Sequence, residues 1–506
     1  MHRPLRSLAQ SLSALGFPVL RIDPLGIGDS ADLDEDAEAW SHWRHGAEAA
    51  RDFLKGQTGV DQVVMAGLRM GGRLAADIAS EGLLLLAPVA SGKTWLRELK
   101  LAAAMSGTSG AEGDDGLESE GLRLSGAAVR SLQTVDLASL TTTAAHALVF
   151  AQNAQAASVG KRLTDLGVDT QVHDFPGYED LLDDSHSNKA PSEVFEIILA
   201  WAEQTYPGNQ LSAPQPDLQP CRMSGPGYVE DPVDLGGGSN GLVTRPVAPS
   251  GLGLIICNTS CEPRAGIGRF AVSTARTLAL EGVTSLRFDF LSMGDSDAEG
   301  EGHMYLADRN PEFARAEAFL RGQGCTKIAV LGVCSGSFHA IRATSALETL
   351  DRAYCVSSRL VWQKGDSLDP QFRDQGKATV SYVAGVRNPE TWKRLIKGDI
   401  DVPAVLRTLW GRLLTKVKAR LNSKASAPLR QGVAAISGRG GALRLVMGLE
   451  DSSLDELESY FGPRAGRFTR QPGMSMLVID DLDHGLAKAA NRAIVLKDLK
   501  AFLDLG

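Results

Sequence analysis

Along the chain, short apolar stretches with strand-like alternation are followed by turn residues and then by apolar positions at helical spacing. Two such passages match each other. VLRIDPLGIGDSAD (19–32) and SLRFDFLSMGDSDA (285–298) each read as a strand, an Asp and a Gly-Asp-Ser turn. An amphipathic helix is expected before each (SLAQSLSALGF; AVSTARTLALEGV) and another after each (AEAARDFLKGQ; EFARAEAFLRGQ). Next come a strand and a glycine-rich turn, QVVMAGLRMGG (62–72) and KIAVLGVCSGS (327–337).

The intervals agree as well. Asp29 to Arg69 is 40 residues and Asp295 to Cys334 is 39, while Asn153 to His186 and Asp451 to His484 are both 33. Arg69 to Asn153 is 84 residues against 117 for Cys334 to Asp451, so the second copy carries extra chain between these positions. Fixed order and spacing over a period near 265 residues indicate duplicated domains rather than a solenoid. Alternating strands and helices imply βαβ units around a mostly parallel sheet. The expected architecture is therefore α/β, with two such domains in tandem: 1–206, a Pro- and Gln-rich linker at 207–221, and 222–506. A helical cap is expected at about 362–425, where WGRLLTKVKARL (410–421) reads as a basic amphipathic helix facing solvent. YVEDPVDLGGGSNGLVTRPVAP reads as a hairpin opening the second domain, followed by the strand in GLGLIICNTS (251–260). The first copy has no counterpart of either, and is expected to be truncated or to have a misassigned start.

The chemistry lies in the second copy. Gly332-Val333-Cys334-Ser335-Gly336 fits small-x-nucleophile-x-small on a strand-to-helix turn, where glycine leaves room for a strained backbone. A helix beginning after Cys334 would favour its thiolate. Asp451 and His484 follow the strands of RLVMGLEDSSLDEL and MLVIDDLDHGL, giving the chain order nucleophile, acid, histidine. His484 would exchange the thiol proton, and Asp451 would orient it. Glu450 beside the acid, and Asp480, Asp481 and Asp483 near the histidine, stay open as alternatives. So does Ser335 as nucleophile, although that register places Val333 where a small residue is wanted. The backbone N–H groups of Ser335 and of Thr259 or Ser260 are the expected oxyanion donors.

In the first copy the elbow position is Arg69, whose guanidinium cannot act as a nucleophile, and the acid position is Asn153. A non-catalytic first domain is expected, with Arg69, and Arg264 in the second, as candidate anion-binding side chains.

The net charge of −9 leaves no basic excess for a nucleic-acid partner. No run reaches the ~18 apolar residues of a membrane span. The six cysteines show no metal-ligand spacing, so no metal or cofactor is expected, and reduced thiols in a cytoplasmic setting are.

On GLRMGG, LLLLAPVASGKTWLRELKLA and RIDPLGIGDS, residues 1–206 resemble the exosortase A system-associated hydrolase 2 group. With GVCSGSFHA at the elbow, about 225–506 looks like a serine-aminopeptidase-type α/β hydrolase, with Cys replacing Ser as in the dienelactone hydrolases. The resemblance implies hydrolase chemistry and, for the first half, a setting in bacterial exopolysaccharide production. The expected substrate is a small-molecule or glycan acyl ester or thioester. The alternatives are acyl transfer to a sugar hydroxyl, or a non-catalytic module that binds a glycan or an anion.

Overall fold

The computed structural model describes residues 2–107, 115–207, 221–297, 304–362, 426–449 and 451–505. The chain divides into two compact units, Met1–Cys221 and Arg222–Gly506. The expected cap from 363 onward, with its basic stretch, lies outside the described residues.

Among the described residues, unit 1 contains a four-stranded parallel sheet in the order β1-β2-β5-β6: β1 Val64–Leu68, β2 Gly82–Leu86, β5 His146–Ala151 and β6 Asp169–Asp174. A two-stranded antiparallel hairpin, β3 Leu117–Ser119 with β4 Leu122–Leu124, stands apart from it. The continuous run GLLLL makes β2 a strand with both faces covered, and all five of its residues are buried.

Unit 2 holds a nine-stranded sheet in the order β15-β14-β13-β12-β10-β11-β9-β8-β7. Its strands are β7 Met223–Gly225, β8 Tyr228–Asp234, β9 Asn240–Pro246, β10 Leu252–Ile256, β11 Thr284–Phe288, β12 Lys327–Val333, β13 Arg352–Val356, β14 Ala442–Gly448 and β15 Met474–Ile479. From β11 to β15 the sheet is parallel; β9 runs antiparallel to both β11 and β8. The expected hairpin is the β8–β9 pair, closed by a turn in which Gly236, Gly237 and Gly238 all take positive φ. The order reverses between β10 and β12, so loops leaving the carboxyl ends of these two strands diverge and leave a crevice there. This is an α/β-hydrolase-type sheet. One apolar layer, with Phe288, Phe290, Phe313 and Phe338, covers one face, and Ile256, Leu278, Tyr354 and Val495 belong to the layer on the other.

One sequence expectation fails. VLRI (19–22) is not a strand: residues 17–24 carry no regular structure, and Val19, Leu20 and Ile22 are 40%, 39% and 42% exposed. The corresponding segment of unit 2 is β11, which has β10 on one side and β9 on the other. Unit 1 has neither neighbour among the described residues, so no strand ladder forms along VLRI. The turn that follows forms nonetheless. Asp23 accepts from the Asp29 N–H and the Ser30 hydroxyl, as Asp289 does from the Asp295 N–H and the Ser296 hydroxyl. Local turn chemistry survives where strand pairing cannot.

Candidate active site

Three loops at the carboxyl ends of β12, β14 and β15 meet at Cys334. Cys334 follows β12 directly and sits at φ 53, ψ −117, with the helix Ser335–Ala346 starting at the next residue. Its N–H donates to the Val356 carbonyl at 2.9 Å, so the elbow is tied to β13. The glycines are explained by their surroundings. A Cβ on Gly336 would stand 2.5 Å from the Asn258 carbonyl oxygen, and one on Gly332 would stand 2.5 Å from the Gly336 oxygen. A side chain at either position would push the elbow off the sheet.

Asp451 is the N-cap of the helix Ser452–Phe461. Its Oδ1 accepts from the Ser453 N–H (2.8 Å) and hydroxyl (2.6 Å), which fixes the carboxylate. Its Oδ2 accepts from His484 Nδ1 at 3.1 Å, and His484 Nε2 stands 3.1 Å from Cys334 Sγ. Cys334 and Asp451 are almost fully buried, whereas a third of the His484 side chain is exposed, so the imidazole forms the solvent-facing rim.

Burial opposes charge at both Asp451 and His484, and the partners overcome it. Burial would raise the Asp451 carboxyl, yet the His484 charge and the bonds from His484 and Ser453 hold it down at about 2. Burial would lower His484, yet the negative charge of Cys334 and of Asp451, with hydrogen bonds to both, raises it well above 6.5. The histidine is thus electrostatically disposed to carry a proton between a carboxylate and a sulfur.

The neighbouring carboxylates are engaged elsewhere. Asp481 pairs with Lys488, and Asp483 accepts from the Ala487 and Lys488 N–H groups and from Asn491. Asp480 is exposed, and Glu450 lies outside the described residues. Ser335 is brought to the elbow but faces away from the histidine: its Oγ accepts from the Ser260 N–H at 2.7 Å and is buried. The N–H of Ser335 opens its helix and so has no intrahelical acceptor. Among the described residues the Thr259 N–H donates to nothing.

Arg264 is committed to the fold. Its Nη1 donates to Asp289 (2.6 Å) and Asp295 (3.2 Å), and its N–H to Asp289 as well. Asn258 joins the same network through Asp289, and its Oδ1 accepts from the Phe290 N–H. Asp289 and Asn258 therefore hold the 258–264 loop in place beside the elbow. The sequence marked Asp289 as part of a repeated turn but gave no sign of this second task. Ser453, which clamps Asp451, was also missed; an Asp-Ser-Ser run at a strand end is its signal.

Unit 1 repeats the backbone of the site without its side chains. Arg69 sits at φ 55, ψ −121 with its N–H on the Leu86 carbonyl, and its guanidinium pairs with Glu98. Ala87 (φ 47) bonds Phe150 as Ser357 (φ 49) bonds Val446. Asn153 is the N-cap of the helix Ala154–Asp165, accepting from the Ala156 N–H, just as Asp451 caps its own helix. The cap function persists where the carboxylate is gone.

No family model matches the chain, and no curated protein matches it. Solved structures with similarity to it include the Pyrococcus furiosus esterase Pf2001 (15% identity, 59% of this chain and 98% of that chain, TM-score 0.35). Another is XC6422 from Xanthomonas campestris, a member of a/b serine hydrolase without lid (15%, 56% and 93%, TM-score 0.30). A third is an alpha-beta serine hydrolase homologue from Coxiella burnetii (12%, 56% and 97%, TM-score 0.30). At these values they add nothing to what the strand order establishes.

Among the described residues no group of His, Cys, Asp or Glu is arranged to hold a metal ion, and no helix is long and apolar enough to cross a membrane.

Proposed function

We propose that unit 2 is a hydrolase acting on an ester or thioester through Cys334, His484 and Asp451. The observation that carries the reading is His484 Nε2 at 3.1 Å from the sulfur of an elbow cysteine, with Asp451 on its other nitrogen. The pair reacts as thiolate and imidazolium. The sulfur attacks the acyl carbon, and the carbonyl oxygen takes up negative charge facing the Ser335 and Thr259 N–H groups. When the tetrahedral intermediate collapses, His484 passes its proton to the departing alcohol or thiol, leaving an acyl-thioenzyme and a neutral imidazole. Water then attacks the thioester, His484 takes its proton, and the carboxylic acid leaves as the thiolate is restored.

Unit 1 is read as the second product of a tandem duplication that keeps the elbow as scaffold and has lost the chemistry, a non-catalytic half. The resemblance of residues 1–206 to exosortase-linked hydrolases motivates bacterial exopolysaccharide metabolism as the setting.

The test is hydrolysis of short p-nitrophenyl esters and thioesters by the full chain, with intact-mass detection of the acyl adduct. Turnover and an adduct on the wild type, both absent from Cys334→Ala and retained by Ser335→Ala, support the reading. Equal rates for wild type and Cys334→Ala overturn it. Adding a sugar as acceptor separates hydrolysis from acyl transfer by the product formed.

A further inference from the structure

A narrow cleft opens beside the elbow of unit 2. Its walls come from the loop after β10, the start of the helix Phe270–Ala279 and the histidine loop after β15. It borders the reacting groups on three sides: Thr259 bears the N–H offered to the acyl oxygen, Val333 precedes Cys334 and Gly485 follows His484. The space within it is about 20 Å³, little more than the ~10–15 Å³ that one water needs.

The surface of the cleft is apolar. Ile256, Phe270, Val333 and Leu486 are buried members of one packed layer. The polar side chains at its border have other tasks: Asn258 is bonded to Glu262, Asp289 and Phe290, and Arg264 to Asp289 and Asp295. Half-buried Ile267 closes one end. A Cβ on Gly485 would stand 3.1 Å from Ile267 Cδ1, so the isoleucine already lies against the histidine loop. Gly266 (φ 73) and Gly268 (φ 59) form the left-handed turn that brings it there.

The position of the cleft assigns its occupant. In the tetrahedral intermediate the carbonyl oxygen lies toward Thr259. The leaving atom lies toward His484, which gives it a proton as its bond to carbon breaks. The loops that carry these two groups are the walls of the cleft, so it receives the first carbon of the leaving group, and the acyl chain departs on the opposite side. Resting on the hydrolase reading above, we propose that the cleft seats one methyl-sized branch of the departing alcohol or thiol. The preferred substrates are esters or thioesters whose leaving-group carbon carries a hydrogen or a methyl on that side. A second carbon there has no room. The remainder of the leaving group passes out beside His484, a third of whose side chain is exposed.

Two isomeric esters, 2-pentyl and 3-pentyl acetate, test this on the full chain, with p-nitrophenyl acetate as the control for chemistry. The isomers share their acyl group, composition and leaving-group basicity, but only the 2-pentyl ester has a methyl to place in the cleft. One surplus methylene in an apolar pocket is worth about 10–200-fold, so kcat/KM should favour 2-pentyl acetate by at least about tenfold. Ile267→Ala opens the closed end and should shrink that ratio at least about threefold, with Ile267→Val in between. The ratio is read within one preparation, so a smaller folded fraction does not move it. A wild-type ratio near one, a ratio unmoved by Ile267→Ala, or cleavage of p-nitrophenyl acetate alone overturns the proposal. Failure of the wild type to cleave any of the three overturns the hydrolase reading and the proposal with it.

Discussion

Asp451 performs two tasks that a pair of substitutions can separate. One oxygen caps the helix Ser452–Phe461 through Ser453, and the other accepts from His484. Asp451→Asn keeps an oxygen for the cap, which costs a few tenths of a kcal/mol at most, whereas Asp451→Ala removes it at about 0.5–2 kcal/mol. Both remove one of the two charges, those of Cys334 and Asp451, that raise His484. The asparagine goes further: its amide donates to His484 Nδ1, so the ring proton moves to Nε2, pointing at Cys334 Sγ. That tautomer cannot accept a proton from the thiol or from water. Wrong-tautomer substitutions of this kind lower turnover by roughly 10⁴-fold, equivalent to about 5.4 kcal/mol at about 1.36 kcal/mol per decade. Ester hydrolysis and thermal unfolding, measured on both variants, should therefore diverge. Activity is lost in both, and the melting temperature falls appreciably only in Asp451→Ala. An Asp451→Asn variant that keeps turnover within about tenfold of the wild type refutes the role given to Asp451.

Further expectations concern pH, packing and unit 1. Acylation needs a protonated His484, so the rate should fall as pH rises through its raised pKa, on the alkaline side of 6.5, and Asp451→Asn should bring that fall to lower pH; a wild-type pH–rate profile already declining below 6.5 contradicts the assignment. Native stability follows the same charges. The contribution from His484 is complete below 6.5 and is lost as pH rises through the raised value, while that from Asp451 is present above 3.8 and is lost as pH falls towards about 2; denaturant titrations across pH read both. Gly336→Ala drives a methyl group onto the Asn258 carbonyl and should destabilise unit 2 by about 1–3 kcal/mol with loss of activity, an unchanged unfolding curve being the contrary result. Arg69→Gly relieves a strained non-glycine backbone, worth about 1–3 kcal/mol, against a partly exposed ion pair to Glu98 worth about 0–1 kcal/mol. Unit 1 should be as stable or more stable, and increased hydrogen exchange at Val64–Ala76 would show the opposite.

What the sequence made legible was whatever a short window determines. The elbow glycines, the Gly-Asp-Ser turns and the helix caps at Asn153 and Asp451 depend on neighbours within a few residues, so they recur in both units wherever the local residues recur. The order and spacing of Cys334, Asp451 and His484 were readable for a related reason. Each follows a strand of one parallel sheet, and parallel strands deliver their following loops to the same edge. The roles of Asp289 and Asn258 were hidden, because their hydrogen bonds link segments about 30 residues apart with no periodic signature. The misjudged strand at 19–22 has the same origin. Its alternation is as good as that of SLRF, but alternation reports only which faces a strand would have. Whether it is a strand depends on partners for its backbone, and β9 and β10 supply them to SLRF alone. Consequently, among the described residues, β1 has β2 on one side only, although β12, which precedes the matching elbow, is flanked by β10 and β13. That asymmetry separates the two elbows physically. Cys334 stands between a paired β10 loop that presents Thr259 and the histidine loop after β15, whereas among the described residues Arg69 has no strand on the side where an oxyanion donor would come from. Replacing Arg69 by cysteine would therefore restore a nucleophile without the N–H that an acyl-transfer transition state needs on that side, and ester turnover by a Cys334→Ala/Arg69→Cys chain should stay at the Cys334→Ala background.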